Sequence, residues 1–114
     1  MTGSNLDGLS VAQLRGRRRR LVASLERLDA MLPGALVRQG RRCSSSGCHC
    51  RRGQLHGPYL YLATFSDGRS RSVYVPAALH AAVEAHVAST TRNEAALAEI
   101  ARINLELLCR RALR

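Results

Sequence analysis

Three of the four cysteines and one of the four histidines lie within 14 residues near the middle of the chain. They are Cys43, Cys48, Cys50 and His56, and they are spaced C-x4-C-x-C-x5-H. A structural zinc ion takes four such ligands in a tetrahedron, and three thiolates with one imidazole make a suitable set. The sequence therefore predicts a structural Zn²⁺ held by these four residues, although the spacing differs from the more common paired C-x2-C arrangement.

Alternatives to this site remain open. His49 competes with His56 for the fourth position, but adjacent residues of a tight C-x-C turn tend to point apart, which favours His56. The cysteines could instead be three uncoordinated thiols in a Ser/Gly loop, or they could hold an iron-sulfur cluster together with the distant Cys109. Four flanking arginines would stabilise thiolates and offset the negative charge of a metal site; they are Arg41, Arg42, Arg51 and Arg52.

The segment lacks the groups that zinc catalysis needs. A catalytic zinc requires an open coordination position and usually a nearby carboxylate as general base, but no acidic residue lies between Asp29 and Asp67. His80, Glu84 and His86 do not form an H-E-x-x-H arrangement either. We expect no enzyme and no small-molecule substrate.

The charge of the chain is carried by 18 basic residues, all of them arginine, against eight acidic ones. The excess is +3 over residues 1–32, +6 over 33–75 and +1 over 76–114. A basic segment of this kind indicates a polyanionic partner, most simply nucleic acid, with DNA favoured over RNA. Arginine suits the task because its guanidinium grips phosphate bidentately. A GC-rich genome or plain solvated faces would also explain it. The predicted contacts are Arg38, Arg41, Arg42, Arg51, Arg52, Arg69 and Arg71, with Arg15 and Arg17 to Arg20 as a further basic run.

Two helices are expected to flank this middle segment. Ser10 is a suitable N-cap for a leucine-striped helix from about Val11 to Met31, which Pro33-Gly34 ends. Pro76 is a suitable first residue for a second helix from Ala77 to about Arg111.

Heptad spacing of apolar residues in the second helix predicts a coiled-coil-like homodimer, because one partner helix covers only part of so long a seam. The pattern weakens between His86 and Asn93, so two shorter helices are the alternative. The predicted dimer contacts are Leu97, Ile100, Asn104 and Leu107.

Between the helices, a strand over Ala35 to Arg42 precedes a hairpin of strands 59–65 and 69–75. Asp67-Gly68 suits its two-residue turn. The resulting register pairs Leu62 with Val73, Leu60 with Val75 and Tyr61 with Tyr74, so aliphatic and aromatic side chains lie on opposite faces. Tyr59, Tyr61 and Tyr74 could stack bases if exposed, although such tyrosines more often pack against a helix.

These elements amount to an α+β fold, with an N-terminal helix, a small three-stranded antiparallel sheet with a zinc-stapled loop, and a long C-terminal helix. We expect a flexible segment over residues 1–9 and a single domain over residues 10–114, divided into a helix (10–32), the metal loop and hairpin (33–75) and the long helix (76–112). Residues 1–10 do not resemble a signal peptide, and no apolar run approaches a membrane span, so a cytoplasmic protein without membrane association is expected.

One set of motifs resembles a known family. Gly-Ala-Leu, Arg-Arg-Cys43, Cys48-His49-Cys50, Gly53, His56-Gly57-Pro58-Tyr59 and Tyr74-Val75-Pro76 are similar to an uncharacterised bacterial family of small proteins, a domain of unknown function associated with mobile-element neighbourhoods. The resemblance covers about residues 33–76. Members often have Cys-Gly where this chain has Cys43-Ser44. The resemblance implies that Cys43, Cys48, Cys50 and His56 are shared positions, and it implies no established activity.

The sequence thus favours a zinc-stabilised nucleic-acid-binding accessory or regulatory protein, DNA-binding and linked to a mobile element. The alternative is a structural or oligomerisation adaptor that has a structural zinc and no role with nucleic acid. Salt-sensitive affinity for nucleic acid would distinguish the two.

Overall fold

The computed structural model describes residues 5–42, 47–48, 53 and 55–114. It confirms the α+β fold, with two helices and one three-stranded antiparallel sheet. The chain forms two compact units, Met1–Ala30 with Ser89–Arg114, and Met31–Ala88. The elements are helix α1 (Val11–Ser24), a 3-10 turn (Leu28–Ala30), strands β1 (Ala35–Arg41), β2 (His56–Ser66) and β3 (Arg69–Val75), a second 3-10 turn (Ala77–Leu79) and helix α2 (His80–Cys109).

Helix α1 begins as predicted but ends earlier. The Ser10 side chain accepts a hydrogen bond from the Gln13 backbone, and the Gln13 side chain accepts one from the Ser10 backbone. The leucine stripe predicts a helix that reaches Met31, yet Leu25 is already extended, with φ −65° and ψ 135°. The cause is a distant side chain: Asn93, only 1% exposed, accepts a hydrogen bond from the Glu26 amide (3.1 Å) and donates one to the Glu26 carbonyl (2.7 Å). These bonds satisfy backbone groups that a continuing helix would have used.

The unit built from both chain ends has an aliphatic core of Leu6, Leu14, Ile103 and Leu107. Leu6 belongs to the segment for which the sequence predicts flexibility. Several arginines of this unit bind oxygen atoms of the same unit rather than facing solvent alone. Arg110, for example, donates to the carbonyls of Leu6, Asp7 and Leu9 and to the Glu106 carboxylate. The others are Arg15 with the Ala112 carbonyl, Arg17 with Glu99, Arg18 with Asn104, and Arg92 with Glu26.

Helix α2 is continuous for 30 residues, so the alternative of two shorter helices is wrong. The helix carries polar buried residues through the stretch where the apolar pattern weakens, namely Ser89, Thr90 and Asn93. Its buried stripe then follows Ala96, Ile103 and Leu107 within the chain's own core. Of the predicted dimer contacts, Leu107 is completely buried and Leu97 is 44% exposed, while Ile100 is half-buried and Asn104 accepts a hydrogen bond from Arg18.

The sheet has the strand order β1-β2-β3, and the hairpin has the predicted register: Leu60 pairs with Val75, Tyr61 with Tyr74 and Leu62 with Val73. Asp67 and Gly68 both have positive φ, 53° and 76°, as a tight two-residue hairpin turn requires. The turn therefore fixes which side chains share a face.

One face of the sheet is covered and the other carries the tyrosines. Leu60, Leu62 and Val75 are buried and pack with Val83 and Val87, from the first turns of α2, and with Leu32 and Leu36. Alternation along the strands places Tyr59, Tyr61 and Tyr74 on the opposite face. Across the described ranges, neither helix combines the length and the apolar character needed to cross a membrane.

Candidate nucleic-acid interface and metal site

The uncovered face of the sheet carries a cluster of three tyrosines. The ring centroid of Tyr74 lies 6.2 Å from that of Tyr59 and 5.7 Å from that of Tyr61, with interplanar angles of 69° and 63°. Such edge-to-face contacts are favourable and orient the rings without stacking them in parallel. Tyr61, at the centre, is 9% exposed, whereas Tyr74, on the edge strand β3, is 52% exposed.

Arg41 joins this cluster at the end of β1. The β1-β2 register shifts between Gln39 and Arg41, so Arg41 lies opposite His56. Its Nε donates a hydrogen bond to the Tyr61 hydroxyl, and its guanidinium carbon lies 4.8 Å from the centre of the Tyr61 ring. The ring and the hydroxyl thus hold the guanidinium in one orientation by a cation-π contact and a hydrogen bond.

These side chains line an open depression of about 530 Å³, which we call the tyrosine-arginine pocket. This volume lies in the range of about 300 to 1,000 Å³ that small-ligand sites occupy. The pocket offers aromatic rings next to positive charge, a combination suited to flat, anionic ligands. Its lining is Arg41, Arg42, His56, Tyr59, Tyr61 and Tyr74.

A glycine sets the backbone between two of the lining residues. Gly57 has φ +103°, and a Cβ at this position would lie 2.7 Å from the Tyr59 amide nitrogen. A side chain would therefore both strain the backbone and collide with it. The same Cβ would lie 3.3 Å from the Gln39 carbonyl oxygen, so the close approach of His56 and Tyr59 to Gln39 across the strands depends on this glycine.

Two of the four predicted zinc ligands are described, and they are adjacent. The Cys48 Sγ lies 3.0 Å from the His56 Nε2. Two such ligands of a tetrahedral zinc ion would lie about 3.6 Å apart, given zinc-sulfur and zinc-nitrogen distances of about 2.3 and 2.0 to 2.1 Å. A small displacement would therefore bring both atoms into coordination distance of one ion.

The other predicted ligands, Cys43 and Cys50, and the competing His49 lie outside the described residues. Among the residues that are described, no three Cys, His, Asp or Glu side chains gather as a metal site would require. Neither of the two described cysteines, Cys48 and Cys109, is in a disulfide.

The predicted nucleic-acid contacts do not all share one surface. Arg41 and Arg42 line the pocket, whereas Arg38 pairs with Leu60 in the sheet and lies 3.5 Å from Glu84 of α2. Arg69 and Arg71 alternate with the tyrosine face, because Arg71 lies opposite Thr64 on the side of the sheet that bears the aliphatic residues. Arg51 and Arg52 are outside the described residues. Sequence reasoning missed the Arg41-Tyr61 contact, since only the register shift brings the two together.

Comparison with known proteins gives one match. A family described as "Domain of unknown function (DUF6788)" matches residues 11–85, which is 75 of the 114 residues. No curated protein and no solved structure matches the chain significantly.

Proposed function

This chain belongs to the family described as a domain of unknown function (DUF6788), and from its own residues we propose that it is a nucleic-acid-binding accessory or regulatory protein stabilised by a structural zinc ion. The observation that carries the proposal is the tyrosine-arginine pocket. It combines two arginines with three aromatic rings on a face that α2 does not cover. Phosphate contacts from arginine and stacking on aromatic rings are the two main sources of affinity for single strands and exposed bases.

The arrangement of the other arginines supports the same surface. Five arginines of the unit built from both chain ends bind oxygen atoms of that unit, and Arg38 has Glu84 as its ion-pair partner. Such pairs reduce the positive potential that their arginines present to a polyanion. Arg41 is held by a tyrosine instead of a carboxylate, so its charge is not offset by its neighbour.

The zinc part of the proposal rests on the adjacent Cys48 and His56 and on the neighbouring cysteines in sequence. An ion at this point would fix His56, which lines the pocket, and would bring into the same segment Arg51 and Arg52, which directly follow Cys50. The link to mobile elements comes from the sequence resemblance, and DNA is favoured because mobile elements are DNA segments.

Replacing Arg41 and Arg42 together with alanine should weaken binding to duplex DNA of any sequence. Each phosphate contact contributes about 0.9 to the slope of log affinity against log salt, so the slope should fall by about 1.8. Titration of a labelled duplex at several salt concentrations would measure this slope.

The matched control removes the same charge elsewhere, at the exposed Arg19 and Arg20 of α1. We expect this control to retain most of the wild-type slope. An equal loss in both double variants would show that only net charge matters, and undetectable binding by the wild-type protein at low salt would refute the proposed function.

An assembly module is the second candidate, and an exposed apolar stripe on α2 favours it. Leu97, Leu105 and Leu108 are all exposed, and spacings of eight and three residues place them on one helix face. This stripe shares Leu97 with the predicted dimer contacts. It would pair with the same stripe of a second copy, as coiled-coil-like helices do.

Wild-type protein should sediment as a dimer at tens of micromolar, and Leu105→Glu should convert it to a monomer, because a charge buried in an apolar interface is strongly unfavourable. The control is Val22→Glu, on exposed Val22 of α1, which should leave the dimer intact. A monomeric wild-type protein at this concentration would reject the assembly hypothesis.

A further inference from the structure

The accessible ring of the tyrosine-arginine pocket is that of Tyr74. It is half exposed, and its contacts with Tyr59 and Tyr61 are both edge-type. The two neighbours fix the orientation of the Tyr74 ring, so little side-chain entropy remains to be lost when a flat ligand binds against it. A preoriented aromatic surface of this kind is a platform for stacking.

A fixed guanidinium lies beside this platform. The Arg41 Nε donates to the Tyr61 hydroxyl, and the other donors of this guanidinium are on its two terminal nitrogens. Paired donors on a planar guanidinium match two oxygens of one phosphate. Arg42 lines the same pocket and adds a second positive charge. A nucleotide therefore finds complementary groups for both its base and its phosphate.

Duplex DNA cannot use both sets of groups. Its bases are stacked on each other and present only their edges in the grooves, so their faces are unavailable to a tyrosine ring. An unpaired base has an accessible face, and stacking on an aromatic side chain is tolerant of sequence because every base has one. We infer that the tyrosine-arginine pocket binds an unpaired base, and that the preferred ligand is single-stranded nucleic acid. This inference rests on the proposed function and specifies its substrate class.

The composition of the chain supplies a direct readout. The protein has three tyrosines and no tryptophan, and all three tyrosines line the pocket. Intrinsic tyrosine fluorescence therefore reports on this pocket alone. Titration with a 15-nucleotide oligothymidylate, corrected for absorption by the ligand, should quench the fluorescence, whereas a duplex of the same length should quench it little.

Affinity is then measured separately by anisotropy of labelled oligonucleotides. Stacking on aromatic side chains typically contributes an amount that corresponds to about 5- to 150-fold in affinity per base. Tyr74→Ala should weaken binding of the single strand by a factor in this range, and Tyr74→Phe, which keeps the ring, should restore it. Binding of the duplex should change by less than about twofold in both variants.

Phe65 provides the matched control. It lies on the same face of the sheet and is 69% exposed, but it lines a different depression, with Ala63 and Ser70. Phe65→Ala should leave the affinity for the single strand unchanged. If Tyr74→Ala and Phe65→Ala weakened it equally, general apolar character and not the pocket would be responsible, and the inference would fail.

The remaining outcomes separate this inference from the proposed function. Equal affinity of the wild-type protein for single strand and duplex, unaffected by Tyr74→Ala, would overturn the inference while nucleic-acid binding stood. Thymidine monophosphate binding as tightly as the oligonucleotide would overturn the assignment to a strand. Absence of salt-dependent binding to either nucleic acid would refute both proposals.

Discussion

Cys48→Ser protein should be purified without the zinc ion that wild-type protein retains, and it should be less stable by about 3 to 4 kcal/mol. This magnitude follows if available zinc exceeds the dissociation constant by about 100- to 1,000-fold, since an ion that binds only the folded chain stabilises it by mass action. Elemental analysis of protein purified without added metal would give the stoichiometry, which should be one zinc per chain. Denaturant unfolding of both proteins would give the loss of stability.

Cys109→Ser is the control, because Cys109 is exposed at the end of α2. Its zinc content and stability should equal those of wild type. Wild-type protein that is folded and contains no zinc would reject the site, and equal effects of the two substitutions would show that Cys48 has no special role.

Leu107→Ala should cost about 2 to 5 kcal/mol of unfolding free energy, the range for a buried leucine truncated in a packed core. Leu107 is fully buried and belongs to the core cluster of its unit. Leu97→Ala should change the stability by less than about 0.5 kcal/mol, because Leu97 is substantially exposed. Urea unfolding at one low protein concentration would measure both values.

The contrast between these two leucines also tests the location of the helix seam. The heptad assigns them to the same seam, so equal losses of stability would support that assignment over the observed burial. A loss for Leu97→Ala that grows with protein concentration would instead indicate that Leu97 stabilises a dimer.

The hairpin could be predicted from the sequence because its determinants are local. Asp67-Gly68 supplies the positive φ angles of the turn, and the alternation of side chains on either side then allows only one register that buries the aliphatic face. The tyrosine cluster follows from the same register. Its exposure could not be predicted, since it depends on which face α2 covers.

The end of α1 could not be predicted, because it is decided by a residue 67 positions away. Leu25 and Leu28 continue the apolar spacing of the helix, yet Asn93 takes the Glu26 backbone into hydrogen bonds that end it. Tertiary contacts of this kind override local propensity.

The roles of the arginines were hidden from sequence reasoning for a similar reason. Arg18 and Arg41 are the same residue type in similarly basic runs, but the first donates to Asn104 in its own unit and the second to a tyrosine in a pocket. Which arginines present their charge to a ligand depends on the oxygen atoms that folding brings near them. Counting charges along the chain identified the basic segment but did not distinguish the members of the binding surface.

The unit assembled from both chain ends also has a consequence for synthesis on the ribosome. Leu6 and Leu14 are made first, but Ile103 and Leu107, which complete their core, follow only after the 58 residues of Met31–Ala88. At about 5 to 20 residues per second, those residues alone take about 3 to 12 seconds to translate. The nascent sheet should therefore fold first, while the leucines of α1 remain uncovered and available to chaperones until the last turns of α2 emerge.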